Sequence, residues 1–296
     1  MPRFLVLQSD FGLDDGAVCA MYGVAKSVDR DLEIYDLTHG ITPFQILEGS
    51  YRLYQTVKFW PEGTVFVSVV DPGVGTDRKS VVIKTATGHF VVTPDNGTLT
   101  HIKQKIGIVA VREIDEMINR LKGSEDSHTF HGRDVYAYTG ARLASGVIDF
   151  EGVGPQLNVE DIAEIPIDEV VVSEGYIEGT IEVLDIRFGH LWTNVSLEMF
   201  ELAGFKLGDE IDVFISYKRE KKFHSIVPYV RSFSSVKHSE PLIYMNSMLT
   251  VAVGLDQVNM AARYNLGTGP DWKITFRTNK TINSLPRSAA GEENER

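Results

Sequence analysis

The sequence predicts an N-terminal α/β domain with a mostly parallel sheet and helices on both faces, followed by a smaller antiparallel all-β domain, either a barrel or a sandwich. Two patterns carry this prediction. Up to about residue 70, short apolar runs rich in β-branched residues alternate with segments of helical periodicity, an order typical of a parallel sheet covered by helices. From about residue 170, strand-like runs follow one another with only turn residues between them, which indicates antiparallel strands.

The first half supplies strands and helices in turn. Strands are predicted at residues 4–7, 32–37 and 64–70, and helices at 16–27, 44–59 and 135–143. Ligands on sheets of this kind collect where strands end and loops begin. The loops that follow these strands are therefore the first place to look for a functional site.

The second half contains strand-like runs at 170–172, 179–186, 210–216, 225–229, 242–245 and 272–276. Between the halves, the segment 161–168 contains Pro166 and several acids, which makes it the predicted linker. The expected division is an α/β domain at 1–165, a β domain at 170–284 and a flexible polar tail at 285–296.

Composition narrows the class of ligand and the compartment. The chain has 296 residues, a formal net charge of -12 and a single cysteine, Cys19. The negative charge disfavours a nucleic-acid backbone or an anionic membrane as partner and favours a small or cationic ligand. One cysteine cannot form a disulfide framework, which favours a cytoplasmic location. The N-terminus is apolar only over residues 4–7 before Gln8, far less than a signal peptide requires.

The loop after the first predicted strand carries Asp10. One interpretation is structural, with Asp10 and Asp14 capping the following helix. The other is functional, with the carboxylate accepting hydrogen bonds from the two hydroxyls of a ribose, as the acidic residue of dinucleotide-binding folds does. A second loop, at 38–44, is interpreted as a pocket wall that ends where Pro43 and Phe44 start a helix.

Two further loops carry candidate catalytic residues. The strand at 64–70 leads into a loop with Asp71 and Arg78. This loop lacks the fingerprint of phosphate-binding loops, whereas a carboxylate and a guanidinium can pair and orient a third group. His131 is the candidate for that group, although a lone histidine is more often structural. Gly132 beside it is expected to let a ligand approach the backbone closely.

A turn in the second half carries Asp185, Phe188 and Trp192. It is interpreted either as a tight hairpin with packed aromatic side chains or as a ligand site. In the second case the rings offer π faces to a purine or a sulfonium cation, and Asp185 offers an anion to an amino group. Asn246 and Ser247 end another strand and carry polar groups of the kind that bind an amino-acid head.

Several short motifs, taken in order, indicate a family. Ser-Asp-Phe-Gly stands at 9–12, Val-Asp-Pro-Gly-Val-Gly at 70–75, Pro-Asp-Asn-Gly at 94–97, Phe-His-Gly-Arg-Asp at 130–134, Phe-Gly at 188–189 and Asn-Ser at 246–247. Together they resemble the S-adenosyl-L-methionine hydroxide adenosyltransferases, hydrolases that are similar to the adenosyl halogenases. The likeness covers almost the whole chain.

The resemblance implies that the chain hydrolyses S-adenosyl-L-methionine (SAM) to adenosine and L-methionine without a cofactor or a metal. It also implies a homotrimer whose active sites lie between the N-domain of one subunit and the C-domain of the next. Asp10 would hold the ribose diol. Asp71, Arg78 and His131 would form a triad that positions and activates water.

The resemblance also implies a substrate-binding set. Its members are Phe188 and Asn246 on the adenine side, Asp185 and Ser247 near the methionine head, and Phe44, Gly132, His190 and Trp192 around them. Two positions depart from the family pattern. His190 stands where many relatives carry Asn, and Met248 stands where halogenases tend to carry Arg.

Three alternatives stay open. Halogenases resemble the chain, but they tend to carry Tyr where Asp71 stands and lack the polar triad. Calcium-dependent nucleoside hydrolases resemble residues 9–15, but their motif needs Asp where Gln8 stands and Pro where Phe11 stands. A sensor that binds SAM or adenosine and releases it unchanged is the third.

Overall fold

The computed structural model describes residues 4–279, and the chain divides into two compact units between Pro166 and Ile167. This division falls inside the acidic segment 161–168. We call the parts the N-terminal unit and the C-terminal unit. The predicted tail at 285–296 lies outside the described residues. No helix within 4–279 is long and apolar enough to cross a membrane.

The N-terminal unit alternates strands and helices up to β3 and then adds further strands. Its elements are β1 (Phe4–Ser9), α1 (Ala17–Val28), β2 (Glu33–Thr38), α2 (Ile46–Val57), β3 (Val65–Val69), β4 (Ser80–Thr85), β5 (Phe90–Pro94), α3 (Thr100–Lys105), β6 (Ile108–Glu113), α4 (Glu116–Asn119), a π-helix (Gly132–Ala137) that continues as α5 (Tyr138–Ala144), and β7 (Gln156–Leu157).

The sheet of this unit is mixed, which corrects the prediction of a mostly parallel sheet. Its seven strands have the order β2-β1-β3-β5-β4-β6-β7. The first four pair in parallel, whereas β4 pairs antiparallel with β5 and β6, and β6 pairs antiparallel with β7. The turn between β4 and β5 is too short for a crossover helix, so the chain must reverse there.

Helices cover both faces of this sheet because its strands are apolar on both sides. Along β1, Leu5 and Leu7 belong to a core that contains Met21 of α1 and Ala141 of α5. Val6, between them, belongs to a second core with side chains of α2 and α3. Alternate residues of a strand point to opposite faces, so one apolar strand supports two helical layers.

The C-terminal unit is built almost entirely from strands. Its elements are β8 (Val171–Ser173), β9 (Tyr176–Asp185), β10 (His190–Ser196), α6 (Leu197–Leu202), β11 (Glu210–Tyr217), β12 (Glu220–Pro228), β13 (Pro241–Met245), β14 (Thr250–Leu255), α7 (Met260–Tyr264) and β15 (Trp272–Thr278).

These strands form an eight-stranded antiparallel sheet of order β12-β11-β15-β9-β10-β14-β13, with β8 on β9. A bridge between Tyr229, just after β12, and Ile243 of β13 brings the two ends together, so the sheet is close to a closed barrel. One core fills it, with Phe200, Phe205 and Phe276 among its buried side chains. The expected antiparallel β domain is present, and it encloses a single core.

Candidate active site

Three loops of the N-terminal unit meet at one edge of the sheet. Asp10 follows β1, Phe44 lies between β2 and α2, and Asp71 follows β3. Because β2, β1 and β3 are neighbouring parallel strands, their carboxyl ends lie at the same edge. The fold therefore places these candidate residues together, as the search of loops after strands predicts.

Asp10 is held by the loop after β2. Its Oδ2 accepts the backbone N–H of Phe44 at 2.9 Å, and neither Asp10 nor Asp14 caps α1, since Oδ1 of Asp15 accepts the N–H of Ala17 instead. The structural interpretation of Asp10 as a helix cap is therefore wrong. A carboxylate has further lone pairs, so Asp10 keeps capacity for a ligand.

Phe44 has an unusual backbone. The sequence places it at the start of a helix, but α2 begins at Ile46, and Phe44 has a φ of 69° with 70% of its surface exposed. A bulky residue in the left-handed region is strained, and such strain clusters at functional sites. The conformation presents the ring to solvent beside Asp10.

Asp71 and Arg78 form a two-point ion pair. Nε of Arg78 donates to Oδ1 of Asp71 at 2.8 Å, and Nη2 donates to Oδ2 at 2.5 Å. The side chains are 10% exposed for Arg78 and 5% for Asp71. This fork geometry fixes the plane of the carboxylate as well as its position.

Arg78 also connects to His131 and to a buried hydroxyl pair. Its Nη2 lies 3.1 Å from Nδ1 of His131, and its Nη1 donates to Oγ of Ser80 at 3.2 Å. Ser80 in turn lies 3.1 Å from the hydroxyl of Tyr136, whose ring lies under the guanidinium at 5.7 Å. The three predicted catalytic residues thus form one network, and Ser80 and Tyr136 support it.

The guanidinium determines which nitrogen of His131 carries the proton. Arginine only donates, so Nδ1 accepts and the neutral ring carries its hydrogen on Nε2. Burial, assisted by the charge of Arg78, lowers the pKa of His131, which favours this neutral form. Its Nε2 is buried and has no hydrogen-bond partner among the described residues. For Arg78, burial is the largest single effect and lowers the pKa, but the hydrogen bonds to Asp71 together with the nearby charges outweigh it, so the pKa is raised.

Two supporting residues were not predicted from the sequence as part of the site. Asn96 donates from Nδ2 to the carbonyl of Val70 at 2.9 Å, which fixes the residue just before Asp71. Its Pro-Asp-Asn-Gly motif shows the family but not this contact. Tyr136 carries no motif signal of its own, because the sequence does not show that its hydroxyl meets Ser80.

Gly132 packs closely against the loop of Asp10, and its expected contact with a ligand stays a prediction. The glycine is buried, and a Cβ built on it would lie 2.9 Å from the Phe11 ring. Phe11 also contacts Phe130 edge to face at 5.7 Å. The missing side chain therefore lets the loop of Asp10 pack against the segment that carries His131.

The candidate residues of the C-terminal unit line one cavity of about 1130 Å³. They are Asp185, Phe188, His190, Trp192, Asn246 and Ser247. The turn between β9 and β10 is a hairpin in which His190 pairs with Asp185, so the hairpin and the ligand site are compatible interpretations. Phe188 is 63% exposed, whereas Trp192 is 8% exposed.

His190 uses its hydrogen-bonding atoms inside the protein. Its Nδ1 lies 2.8 Å from the hydroxyl of Tyr244, which also bonds with Trp192, and the ring bonds with the backbone of Leu255. Burial lowers the pKa of His190 and raises the pKa of Tyr244 to about 12. The ring of Phe233 lies 5.3 Å from that of His190. His190 therefore offers the cavity an aromatic face.

Asn246 uses its side-chain amide in a turn, and its expected contact with a ligand stays a prediction. Its Oδ1 accepts the N–H groups of Met248 at 2.9 Å and Thr250 at 3.1 Å, and its Nδ2 donates to Oγ1 of Thr250 at 2.8 Å. Such side-chain bonds to nearby backbone groups are typical of Asn in turns. Ser247, next to it, is exposed on the cavity.

Two family models match this chain in the same order as its units. The N-terminal domain of the SAM hydroxide adenosyltransferases matches residues 5–154, and the C-terminal domain of that family matches residues 179–273. The chain belongs to this family. The resemblance found from the motifs is thereby confirmed.

The names of individual relatives give two different activities. An (R)-S-adenosyl-L-methionine hydrolase of Methanocaldococcus jannaschii is 34% identical, over 79% of this chain and 82% of its own. A fluorinase of Actinopolyspora mzabensis is 25% identical, over 92% and 96%. A solved structure of an uncharacterized conserved protein from Thermotoga maritima has a TM-score of 0.82 at 28% identity, covering 92% of this chain and 99% of its own.

Within residues 4–279, no group of three or more His, Cys, Asp or Glu side chains is placed to hold a metal ion. The calcium motif of nucleoside hydrolases needs Asp where Gln8 stands. Gln8 is buried and donates to the carbonyl of Gly49 and to Ser68, both at 2.8 Å.

Proposed function

We propose that this protein hydrolyses SAM to adenosine and L-methionine by attack of water on C5′ of the ribose. The observation that carries the proposal is the buried network of Asp71, Arg78 and His131, in which each polar group has a defined donor or acceptor role. The hydrolase relatives support the same reaction.

The substrate has a complementary feature for each part of the site. Asp10 accepts hydrogen bonds from the 2′ and 3′ hydroxyls, with the Phe44 ring beside it. In the C-terminal unit, Phe188 and the face of His190 take the adenine, and Asp185 attracts the amino group of the methionine head. Aromatic faces also suit the positively charged sulfur.

The reaction needs a stronger nucleophile rather than a better leaving group. Water oxygen forms a bond to C5′ while the C5′–S bond breaks, and the sulfur takes the electron pair and leaves as a neutral thioether. One water proton must be removed. General-base catalysis of this kind contributes about 10²–10⁴-fold in rate.

Asp71 is the proposed proton acceptor, because carboxylate oxygens only accept when ionised. Arg78 fixes the plane of the Asp71 carboxylate and so limits it to one orientation. His131 donates from Nε2 to the water oxygen, since its Nδ1 already accepts from Arg78.

The same residues argue against a halide nucleophile. A halide brings a second negative charge next to the buried carboxylate of Asp71, and like charges in a poorly solvated site repel strongly. Arg78 does not compensate, because both of its facing donors are bonded to Asp71. A neutral water molecule is not repelled in this way, and the carboxylate can accept its proton.

The test uses purified protein and SAM in chloride-free buffer with EDTA, prepared in ¹⁸O-water, followed by mass spectrometry. Adenosine with ¹⁸O at the 5′ oxygen and equimolar methionine is the expected result. Product only after halide is added identifies a halogenase, a requirement for calcium identifies a metal enzyme, and binding without turnover identifies a sensor. Each of these contradicts the proposal.

An isosteric variant separates the role of the carboxylate from its shape. Asp71→Asn keeps the size of the side chain but lowers its basicity, so kcat is expected to fall at least about 100-fold. The matched control is Asp212→Asn in the C-terminal unit, where the carboxylate faces His224 at 2.6 Å. This control is expected to retain activity. Equal losses in both variants contradict the role of Asp71.

We further propose a cytoplasmic homotrimer in which the N-terminal unit of one subunit and the C-terminal unit of the next complete each site. The support is that the catalytic candidates lie in one unit and the aromatic cavity in the other. Light scattering gives the mass. Mixed refolding of Asp71→Ala and Phe188→Ala chains is expected to restore activity, because some sites then combine two intact halves; no restoration contradicts the shared site.

A further inference from the structure

A second series of hydrogen-bonded side chains connects the end of β1, helix α1, strand β2 and the loop after β2. The Tyr22 hydroxyl donates to Oδ1 of Asp36, and Nε2 of His39 lies 2.8 Å from the same oxygen. On the other side of the ring, Nδ1 of His39 lies 2.7 Å from Oγ of Ser9. Ser9 is fully buried, and His39 is 5% exposed.

The chemistry of the partners gives this series a direction. Nε2 of His39 faces a carboxylate, so it donates. Oγ of Ser9 accepts the backbone N–H of Phe11 at 3.2 Å, and its own proton is then available for Nδ1 of His39. The order Ser9 to His39 to Asp36 is that of a serine-hydrolase triad.

This order does not make Ser9 a nucleophile. The residue has no exposed surface, so a substrate carbonyl cannot reach it. Its oxygen is also engaged by the N–H of Phe11. A nucleophilic serine needs access to its substrate, and Ser9 has none. The series must therefore act through something it holds in place.

What it holds is the loop of Asp10. Ser9 precedes Asp10, Phe11 follows it, and the N–H of Gly12 donates to the carbonyl of His39 at 2.8 Å. His39 therefore fixes the backbone on both sides of Asp10, through its ring at Ser9 and through its backbone carbonyl at Gly12. A carboxylate that accepts from two neighbouring hydroxyls requires such a fixed position, since misplacement of a binding group by about 1 Å costs about 100-fold.

We propose that His39 is a positioning residue for the ribose. Through Ser9 on one side and Asp36 on the other, its imidazole holds the loop that presents Asp10, and it has no part in activating water. The inference rests on the proposed function. Its effect should appear in substrate binding and should depend on Asp10.

The test measures kcat and KM for SAM in His39→Ala, Asp10→Ala and the double variant. His39→Ala is expected to raise KM about tenfold and to leave kcat within about threefold. In the Asp10→Ala background, the same change is expected to cost less than about twofold in kcat/KM, because the group it positions is gone. Ser9→Ala is a smaller change and is expected to show the same rise in KM and the same dependence on Asp10. It replaces His39→Ala in the test if that variant does not fold.

His101 provides the matched control. It is also buried, and its Nδ1 lies 2.9 Å from Oγ of Ser50, but this pair lies between α2 and α3. His101→Ala therefore removes a similar buried hydrogen bond without touching the loop of Asp10. At equal folded fraction, its kcat and KM are expected to stay within about twofold of wild type.

Two results overturn the inference. One is a His39→Ala loss of equal size with and without Asp10, and the other is a loss carried by kcat with KM unchanged. Failure of the proposed function looks different, because wild-type protein then releases no adenosine from SAM. If wild type is active and His39→Ala fails these criteria, only the positioning role is wrong.

Discussion

Replacement of Arg78 by lysine keeps the charge but removes the fork. Arginine here donates to both oxygens of Asp71, to His131 and to Ser80. A lysine ammonium carries its charge on one nitrogen. It can keep one of the two hydrogen bonds to Asp71, but it loses the second of these and the hydrogen bond to His131. Hydrogen bonds from a charged donor contribute about 1.5–3 kcal/mol each.

The expected loss follows from these two bonds. If about 3–4 kcal/mol of their sum is lost in the transition state, kcat falls by about 10²–10³-fold, at about 1.36 kcal/mol per factor of ten. Because the same change releases Nδ1 of His131, its proton is no longer confined to Nε2. The loss should therefore appear in kcat and much less in KM.

The assay is the rate of adenosine formation at saturating SAM, with KM and the melting temperature measured on the same samples. Arg133→Lys is the matched control, because Arg133 forms a similar fork with Asp134 at 2.6 and 3.0 Å. It is expected to keep kcat within about threefold of wild type. A kcat for Arg78→Lys within that same range, or a change confined to KM, refutes the reasoning.

The same geometry gives two further predictions, one on pH and one on stability. The pKa of His131 lies below its ordinary 6.5, so kcat/KM should be constant above pH 6.5 and should fall only at lower pH, where the ring becomes protonated. The stability that the neutral ring contributes should fall over the same range. A fall in kcat/KM centred above pH 6.5 contradicts this prediction. Gly132→Ala places a Cβ 2.9 Å from Phe11 and should cost about 1–3 kcal/mol in urea unfolding, whereas Gly23→Ala, which meets no atom within 4 Å, should not destabilise.

Local patterns account for much of what the sequence predicts correctly. The run at residues 4–7 and the helical spacing at 16–27 correspond to β1 and α1, because apolar periodicity is set by the geometry of each element alone. The turn residues around Phe188 predict the hairpin between β9 and β10. The family follows from short motifs, whose order survives in the sequence whatever the packing around them.

By itself, then, the sequence determined the α/β and β halves, the family, and the loops that carry Asp10, Asp71 and His131. The tertiary structure decided which way β4 runs, since an apolar run predicts a strand but neither its direction nor its neighbour. It also decided how polar atoms are shared. Arg78 meets His131 across 53 positions, whereas the amide of Asn246 is used by its own turn, because hydrogen-bonding capacity is allocated only when distant segments come together.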